Sequence, residues 1–222
     1  NLLIIEDAAQ AFCSSIDGKR AGSFSDIAAF SMNPMKILHA YGEAGAVVTN
    51  SKKKIDLLKQ LRHAGTKRYL NKNYHINKCN HISLNHKMDT IQASFLIEEI
   101  NRMNKIKLKR DKLSDYYDNA LPHLGCNPQR IFNNEIHGRY YYMFICNKRN
   151  ELLKYLTSMK IECKIFYSPL TCDVVVHKTN NYLKLPVARS LLRKCISIPM
   201  HENMSMNQAK YIVDCISKFY SK

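Results

Sequence analysis

An α/β fold is predicted for this 222-residue chain: a mainly parallel sheet with helices, followed by a smaller α/β domain. Three observations carry the prediction. Short apolar runs at 2–5, 27–30 and 46–48 each stop abruptly at a polar residue, and brief continuous runs of that kind read as buried strands. Helical periodicity takes over at 52–62 and again from Met88 onward. Strand and helix patterns then follow one another to the end of the chain, as expected of packed α/β layers.

The first run ends in Glu6 and Asp7, the second in Ser31 and the third in Thr49. Ligands of open α/β sheets gather at the carboxyl ends of strands. Asp7, Ser31 and the segment 32–41 carrying Lys36 are therefore expected on one edge of one sheet, with Pro34 and Gly42 marking that segment as loop. A carboxylate, a hydroxyl and a lysine together match the needs of pyridoxal phosphate: a lysine for the Schiff base, an acid against the ring nitrogen and donors for the phosphate. A carboxylate on the pyridinium keeps that nitrogen protonated, so the ring can accept electrons from a substrate carbanion. A lysine beside a desolvated aldehyde loses its charge readily. Each residue alone has a plainer explanation. Asp7 to Gln10 also spells a capping box, Lys36 is one lysine among many, and Ser31 by itself says nothing. Order and spacing together carry the weight.

That text, IIEDAAQAF, then GSFSDIAAFS, then MKILHAYGEAGAVVTN, resembles the sugar-nucleotide aminotransferases of the DegT/DnrJ/EryC1/StrS family, a branch of the fold-type I pyridoxal-phosphate enzymes. The resemblance implies that Asp7 pairs with the pyridine nitrogen and that Gln10 contacts the ring hydroxyl. It also implies that Ser31 binds the cofactor phosphate and that Lys36 is the Schiff-base lysine and the catalytic proton carrier. A sister group of sugar dehydratases puts His at the lysine position, and Lys36 argues against that branch. Ala44 stands where the family has a glycine. The family's glycine-containing phosphate turn and ring-stacking aromatic precede the EDAAQ strand, and neither is found in this sequence.

After Asn50, residues 52–62 read as an amphipathic helix bearing Ile55, Leu57, Leu58 and Leu61. Residues 63–85 are polar and read as one long loop, a place where function often sits. The family ends a comparable loop in an N-x-R-M motif, which falls on Asn85-His86-Lys87-Met88. The resemblance gives Asn85 a contact to the cofactor phosphate across a subunit interface. It gives Lys87 a substrate-facing position, where lysine offers a point charge in place of the family's bidentate arginine. Met88, Ile91, Phe95, Leu96, Ile100, Met103 and Ile106 then recur at helical steps, a stripe suited to core or subunit contact. This helix is expected to bridge near Lys107, dividing the chain into a partial large domain, 1–107, and a small domain, 108–222. In the second, a helix runs into Tyr117, a turn follows at 122–128, strands are expected at 139–148 and 161–167, and helices at 150–159 and 186–194. Ser205 to Gln208 is a capping box opening a last helix to about Tyr220. The resemblance continues through 164–171, with Thr171 where the family has His, and 185–201, with Arg189 where it has Glu.

Hydrophobic content of 45% is ordinary for a globular protein, and no apolar run reaches membrane-spanning length. No basic-then-apolar leader opens the chain, and a buried-type strand at its very start implies a missing N-terminal part. Eight cysteines show no CxxC pair, so reduced thiols in a cytoplasmic protein are expected rather than a disulfide framework. His75, His81 and His86 match no metal-ligand spacing, and no metal is expected. The net charge of +16 raises a nucleic-acid surface, but the basic residues are spread out and lack interleaved aromatics. They read as a solvated surface whose field also helps to capture a diphosphate-linked sugar.

The expectation is a pyridoxal-phosphate-dependent aminotransferase that moves an amino group from an amino acid, glutamate, to a keto-sugar nucleotide in glycan or polysaccharide biosynthesis. It is expected to be a cytoplasmic homodimer, apparently lacking its N-terminal part. The alternative is a non-catalytic remnant or interaction module of the same fold.

Overall fold

The computed structural model describes residues 2–71, 74–174, 176 and 184–221. In chain order the first elements are β1 (Ile5–Asp7), β2 (Ser15–Ile16), β3 (Lys19–Arg20), β4 (Ile27–Ser31), β5 (Gly45–Val48), α1 (Lys52–Arg62), β6 (Thr66–Asn71), β7 (Tyr74–Cys79) and α2 (Thr90–Ala120). They are followed by β8 (Asn127–Pro128), β9 (Glu135–Ile136), β10 (Tyr142–Ile145), α3 (Arg149–Ser158), α4 (Pro186–Lys194), β11 (Cys195–Ile198) and α5 (Met206–Tyr220). Two compact units result, one of Asn1–Asn104 with Phe132–Tyr140, the other of Lys105–Ile131 with Tyr141–Lys222. The sequence division at 107 puts 132–140 in the second domain, whereas that segment groups with the first unit.

The first unit holds a three-stranded sheet ordered β1-β4-β5. β1 and β4 are parallel, with Ile5 opposite Ile27 and Asp7 opposite Ala29, and Ala8 N–H extends the ladder to Ala29 O at 2.9 Å. β5 runs antiparallel to β4, not parallel as its apolar run implies, so Gly45 lies opposite Ser31 and Thr49 is at the far end. The reason is the connection. A parallel return needs a crossover, usually a helix, and residues 32–44 contain none. Burial also departs from expectation. Ala28 in the central strand is fully buried, while Ile5 is 74% and Val47 51% exposed, because β1 and β5 are the edges of a narrow sheet.

Glu6 and Asp7 point to opposite sides of β1, as strand alternation requires. Glu6 accepts hydrogen bonds from Gly22 N–H at 2.6 Å and Phe24 N–H at 3.2 Å, pinning the turn that feeds β4. β2 and β3 form a tight hairpin over Asp17-Gly18, both with positive φ (52° and 73°), which matches strand twist. β9 adds to β2 as a third strand. α1 occupies the span read from sequence, with Ser51 capping it by accepting from Lys54 N–H.

The expected loop at 63–85 is instead largely a hairpin of β6 and β7, with residues 72–73 outside the described residues. Its described flanks are solvated on both faces, so no apolar alternation announces a ribbon. Gly65 lies at its base with φ +70°, where a Cβ would fall 1.7 Å from His81 O. α2 is one continuous helix that begins in the first unit and ends in the second.

The second unit holds an antiparallel sheet ordered β11-β10-β8, packed with α3 and α5 around Tyr117, Phe144, Leu152, Leu156, Ile196 and Ile216. Only one bridge, Lys164 to Ser197, forms where a strand at 161–167 is expected, because the chain already turns at 166–169 before a ladder can grow. Buried Tyr117 donates to Pro199 O at 3.0 Å, and Arg110 pairs with Glu202 at 2.6 Å. Ser205 and Gln208 form the expected capping box at the start of α5. No helix of the described residues is long and apolar enough to cross a membrane.

Candidate functional site

The carboxyl ends of β1 and β4 carry Asp7 and Ser31. Asp7 does not cap a helix. A turn follows it, in which Asp7 Oδ1 accepts from Ala9 N–H at 3.0 Å and Ala11 N–H donates to Ala8 O at 3.0 Å. The capping-box reading of Asp7 to Gln10 is thereby corrected: the Asx-turn takes the chain sideways, where a helix would need Gln10 to reach back. Asp7 is exposed, and its Oδ2 has no hydrogen-bond partner among the described residues. Gln10 is exposed on the same turn. Ser31 Oγ accepts from Asn33 N–H at 3.4 Å, which leaves its own proton available to donate.

Lys36 lies in the β4–β5 connection, which is closely built. Met32 N–H donates to Ala44 O and Ala40 N–H to Met32 O, both at 2.9 Å. Asn33 Oδ1 accepts from Met35 N–H at 2.9 Å, and Asn33 Nδ2 donates to Glu43 Oε1 at 2.7 Å, closing the loop on itself. Gln92 of α2 holds the far end, accepting from Tyr41 N–H at 2.8 Å. Ile37, Leu38 and Ala40 are buried and anchor the loop, while Lys36 is half-buried. Lys36 Nζ sits 4.6 Å from the centre of the Tyr140 ring. No carboxylate among the described residues pairs with Lys36. In the same loop His39 Nδ1 is buried without a hydrogen-bond partner.

Tyr140 escapes the sequence reading, because a run of three tyrosines gives no hint of which one folds back. It arrives through Phe132–Tyr140, tied to the β2–β3 hairpin by Gly138 N–H to Ser14 Oγ at 2.9 Å and Asn134 Nδ2 to Asp17 Oδ1 at 3.0 Å. Asn33, Glu43 and Gln92 escape it too. Asn33-Pro34 does carry a turn signal that could have found the first.

The other two expected residues lie at a different corner. Asn85 bridges to His63 beyond α1, and Lys87 lines a cavity of about 590 Å³ with Lys59, Arg62, Lys67 and Arg68. This corner is basic and open, suited to an anionic group. No described contact joins it to Lys36. Arg189, where a Glu is expected from the resemblance, makes a bidentate pair with Asp173 at 2.8 and 2.9 Å. The arginine thus has a local structural partner, and it holds the Asp173 carboxyl below its ordinary range.

The donor set at the β1–β4 edge fits pyridoxal phosphate: an amine without an acidic partner, a carboxylate oxygen left open and a hydroxyl able to donate. Comparison with known proteins agrees in kind. The profile of the DegT/DnrJ/EryC1/StrS aminotransferase family matches residues 1–217. A UDP-2-acetamido-2-deoxy-3-oxo-D-glucuronate aminotransferase of Pseudomonas aeruginosa is 29% identical over 210 residues, covering 94% of this chain and 56% of that protein. A DegT DnrJ EryC1 StrS aminotransferase from Brucella abortus superposes at a TM-score of 0.90 with 28% identity, over 100% of this chain and 58% of that one. S. venezuelae DesV, solved in complex with a ketimine intermediate, does so at 0.90 with 25% identity and the same coverage. The chain spans a little over half the length of these relatives.

Proposed function

Because the chain belongs to the DegT/DnrJ/EryC1/StrS aminotransferase family, we propose that it binds pyridoxal phosphate at Lys36 and serves amino transfer from an amino acid, glutamate by preference, to a keto-sugar nucleotide. The observation that carries the reading is the convergence of Asp7, Ser31 and the Lys36 loop at one sheet edge, with no acidic partner for the amine among the described residues. The relatives act on nucleotide-linked sugars by name, and the basic corner of Lys59, Arg62, Lys67, Arg68 and Lys87 suits a diphosphate.

In this reading Lys36 would hold the cofactor, Asp7 its ring nitrogen, Gln10 its ring hydroxyl and Ser31 its phosphate, with Asn85 reaching the phosphate of a partner subunit in a homodimer. When bound, the cofactor supplies an electron sink for the carbanion at the substrate carbon. Asp7, with one carboxylate oxygen open, would keep a proton on that ring nitrogen. Ser31 would donate a hydrogen bond from its hydroxyl to a phosphate oxygen. Once the incoming amine has displaced it, the Lys36 amine would be the base that takes the proton from the amino-bearing carbon of the donor, and its ammonium would be the acid of the protonation that follows. The well-tied loop keeps the amine within reach of that carbon. Complete turnover is proposed to require chain equivalent to the portion of the relatives this one does not span, in a cytoplasmic enzyme of glycan or polysaccharide biosynthesis.

The test is reductive trapping. The purified chain is given pyridoxal phosphate, reduced with borohydride and mapped by peptide mass. Modification concentrated at Lys36, and lost in Lys36→Ala with no rise elsewhere, is the expected result. Label scattered over many lysines, or unchanged in Lys36→Ala, would leave the chain with the family's fold and without its cofactor site.

A further inference from the structure

The β8–β10 ladder pairs Phe144 with Pro128 and Ile145 with Asn127. One step further along the same register, Cys146 faces Cys126. The backbone around them defines what sort of pair this is. Cys146 N–H donates to Lys194 O at 3.0 Å, on the β11 side, and Cys126 N–H donates to Leu121 O at 3.2 Å. The two cysteines therefore exchange no backbone hydrogen bond with each other. At such non-hydrogen-bonded positions the Cα atoms approach to about 4.5 Å and the side chains lie closest, within the roughly 4.4–6.8 Å window of disulfides. Both are buried, at 0% and 4% exposure, the Cys126 thiol donating to Leu124 O and the Cys146 thiol to Lys194 O, each at 3.9 Å.

We infer that Cys126 and Cys146 are a redox-active pair, which a peroxide converts into a disulfide that staples β8 to β10.

The surroundings assign the roles. The neighbouring Cys126 thiol holds the Cys146 thiol below its ordinary range, against the opposing effect of burial, and the Tyr220 hydroxyl and the Arg149 guanidinium lower it too. Arg149 is fixed there by donating to Cys195 O at 2.9 Å, and Tyr220 by donating to Asn147 O at 2.7 Å. The Cys146 thiol beside it, together with burial, raises Cys126. Cys146 is thus the attacking sulfur. Its thiolate takes one oxygen of hydrogen peroxide as the O–O bond breaks, giving a sulfenic acid and a hydroxide that picks up the proton Cys146 released. The Cys126 sulfur then displaces hydroxide from Cys146, and the Cys126 proton leaves with it as a second water. Two electrons pass from the sulfur pair to the peroxide, and two thiols with one peroxide become one disulfide and two waters. β8 is a two-residue edge strand, so a local opening there admits the oxidant. The stretch enclosed by the crosslink contains residues 132–140, which group with the first unit and end in Tyr140.

The test uses the full chain, first reduced, then treated with hydrogen peroxide, unfolded in an alkylating reagent and mapped without reduction. A Cys126–Cys146 linked peptide exceeding every other cysteine pair is expected. So is a melting temperature raised by about 5 °C and returned to its starting value by dithiothreitol. Recovery of both cysteines in alkylated form while exposed Cys79 is oxidised would overturn the inference, as would crosslinks spread without preference. In Cys126→Ser, with its fold checked by circular dichroism, a sulfenic acid should accumulate at Cys146 and be captured by dimedone. Failure of that capture would overturn the assignment of Cys146 as the attacking thiol.

Discussion

At the scale of single residues, the candidate site depends on small backbone approaches as much as on the lysine itself. Gly138 is the clearest case. A Cβ there would meet Phe12 O at 2.4 Å and Ser14 Oγ at 2.8 Å, and the first of these is backbone that cannot swing aside. Gly138→Ala must therefore push Phe132–Tyr140 away from the β2–β3 hairpin and move the Tyr140 ring from Lys36. Destabilisation of about 2 kcal/mol is expected from the overpacking, measured by denaturant unfolding. Trapping of pyridoxal phosphate at Lys36 should also become less selective. Asp7, Ser31 and Lys36 stood out in the sequence as candidates by their order and spacing, the first two at the ends of apolar runs and the third in the loop beyond. Tyr140 did not. It reaches Lys36 by a return of the chain across some hundred residues, and no local pattern encodes that.

At the scale of elements, legibility followed how much of the signal was local. α1 and the capped start of α5 were readable because a cap and a periodic face lie within a few residues of each other. Ser205→Ala removes the acceptor for Gln208 N–H and half of the capping box. A loss of about 1 kcal/mol is expected, with fraying confined to the first turn of α5. Amide hydrogen exchange at residues 206–209 checks it, and α3 should stay unchanged. The β6–β7 ribbon and the antiparallel turn of β5 were not readable. The first has no apolar alternation to display, and the direction of the second was decided by the absence of a crossover helix in 32–44. The segment at 161–167 has strand composition, yet the turn at 166–169 leaves only one bridge to β11.

At the scale of the whole molecule, charge sets the behaviour in acid. The net charge is +16 at pH 7, and protonating carboxylates only adds to it. Among the described residues three carboxyls are held below their ordinary ranges: Asp26 chiefly by the hydrogen bond from Lys54, Asp173 chiefly by that from Arg189, and Glu202. Burial pushes Glu202 upward, but its own backbone N–H and Arg110 together outweigh that. For a carboxyl lowered by folding, the unfolded chain binds the proton first as pH falls. The stabilisation is therefore present above the unfolded value, near 4.5 for Glu202, and is lost progressively below it. Thermal unfolding followed from pH 7 to pH 3 should show the melting temperature falling most steeply below that point, and added salt should soften the fall. Glu202→Gln, which removes the carboxylate charge facing Arg110, should lose about 2 kcal/mol at pH 7 and flatten the acid limb. The sequence by itself determined the α/β class and most helices, because these rest on periodicity and caps read over short spans, and its motifs resembled the family that the profile match then showed. The tertiary structure alone decided the direction of β5, the return of 132–140 to the first unit, the ring beneath Lys36 and the facing of Cys126 and Cys146. Each of these is a pairing between distant stretches, and its energy exists only once the chain has closed the loop between them.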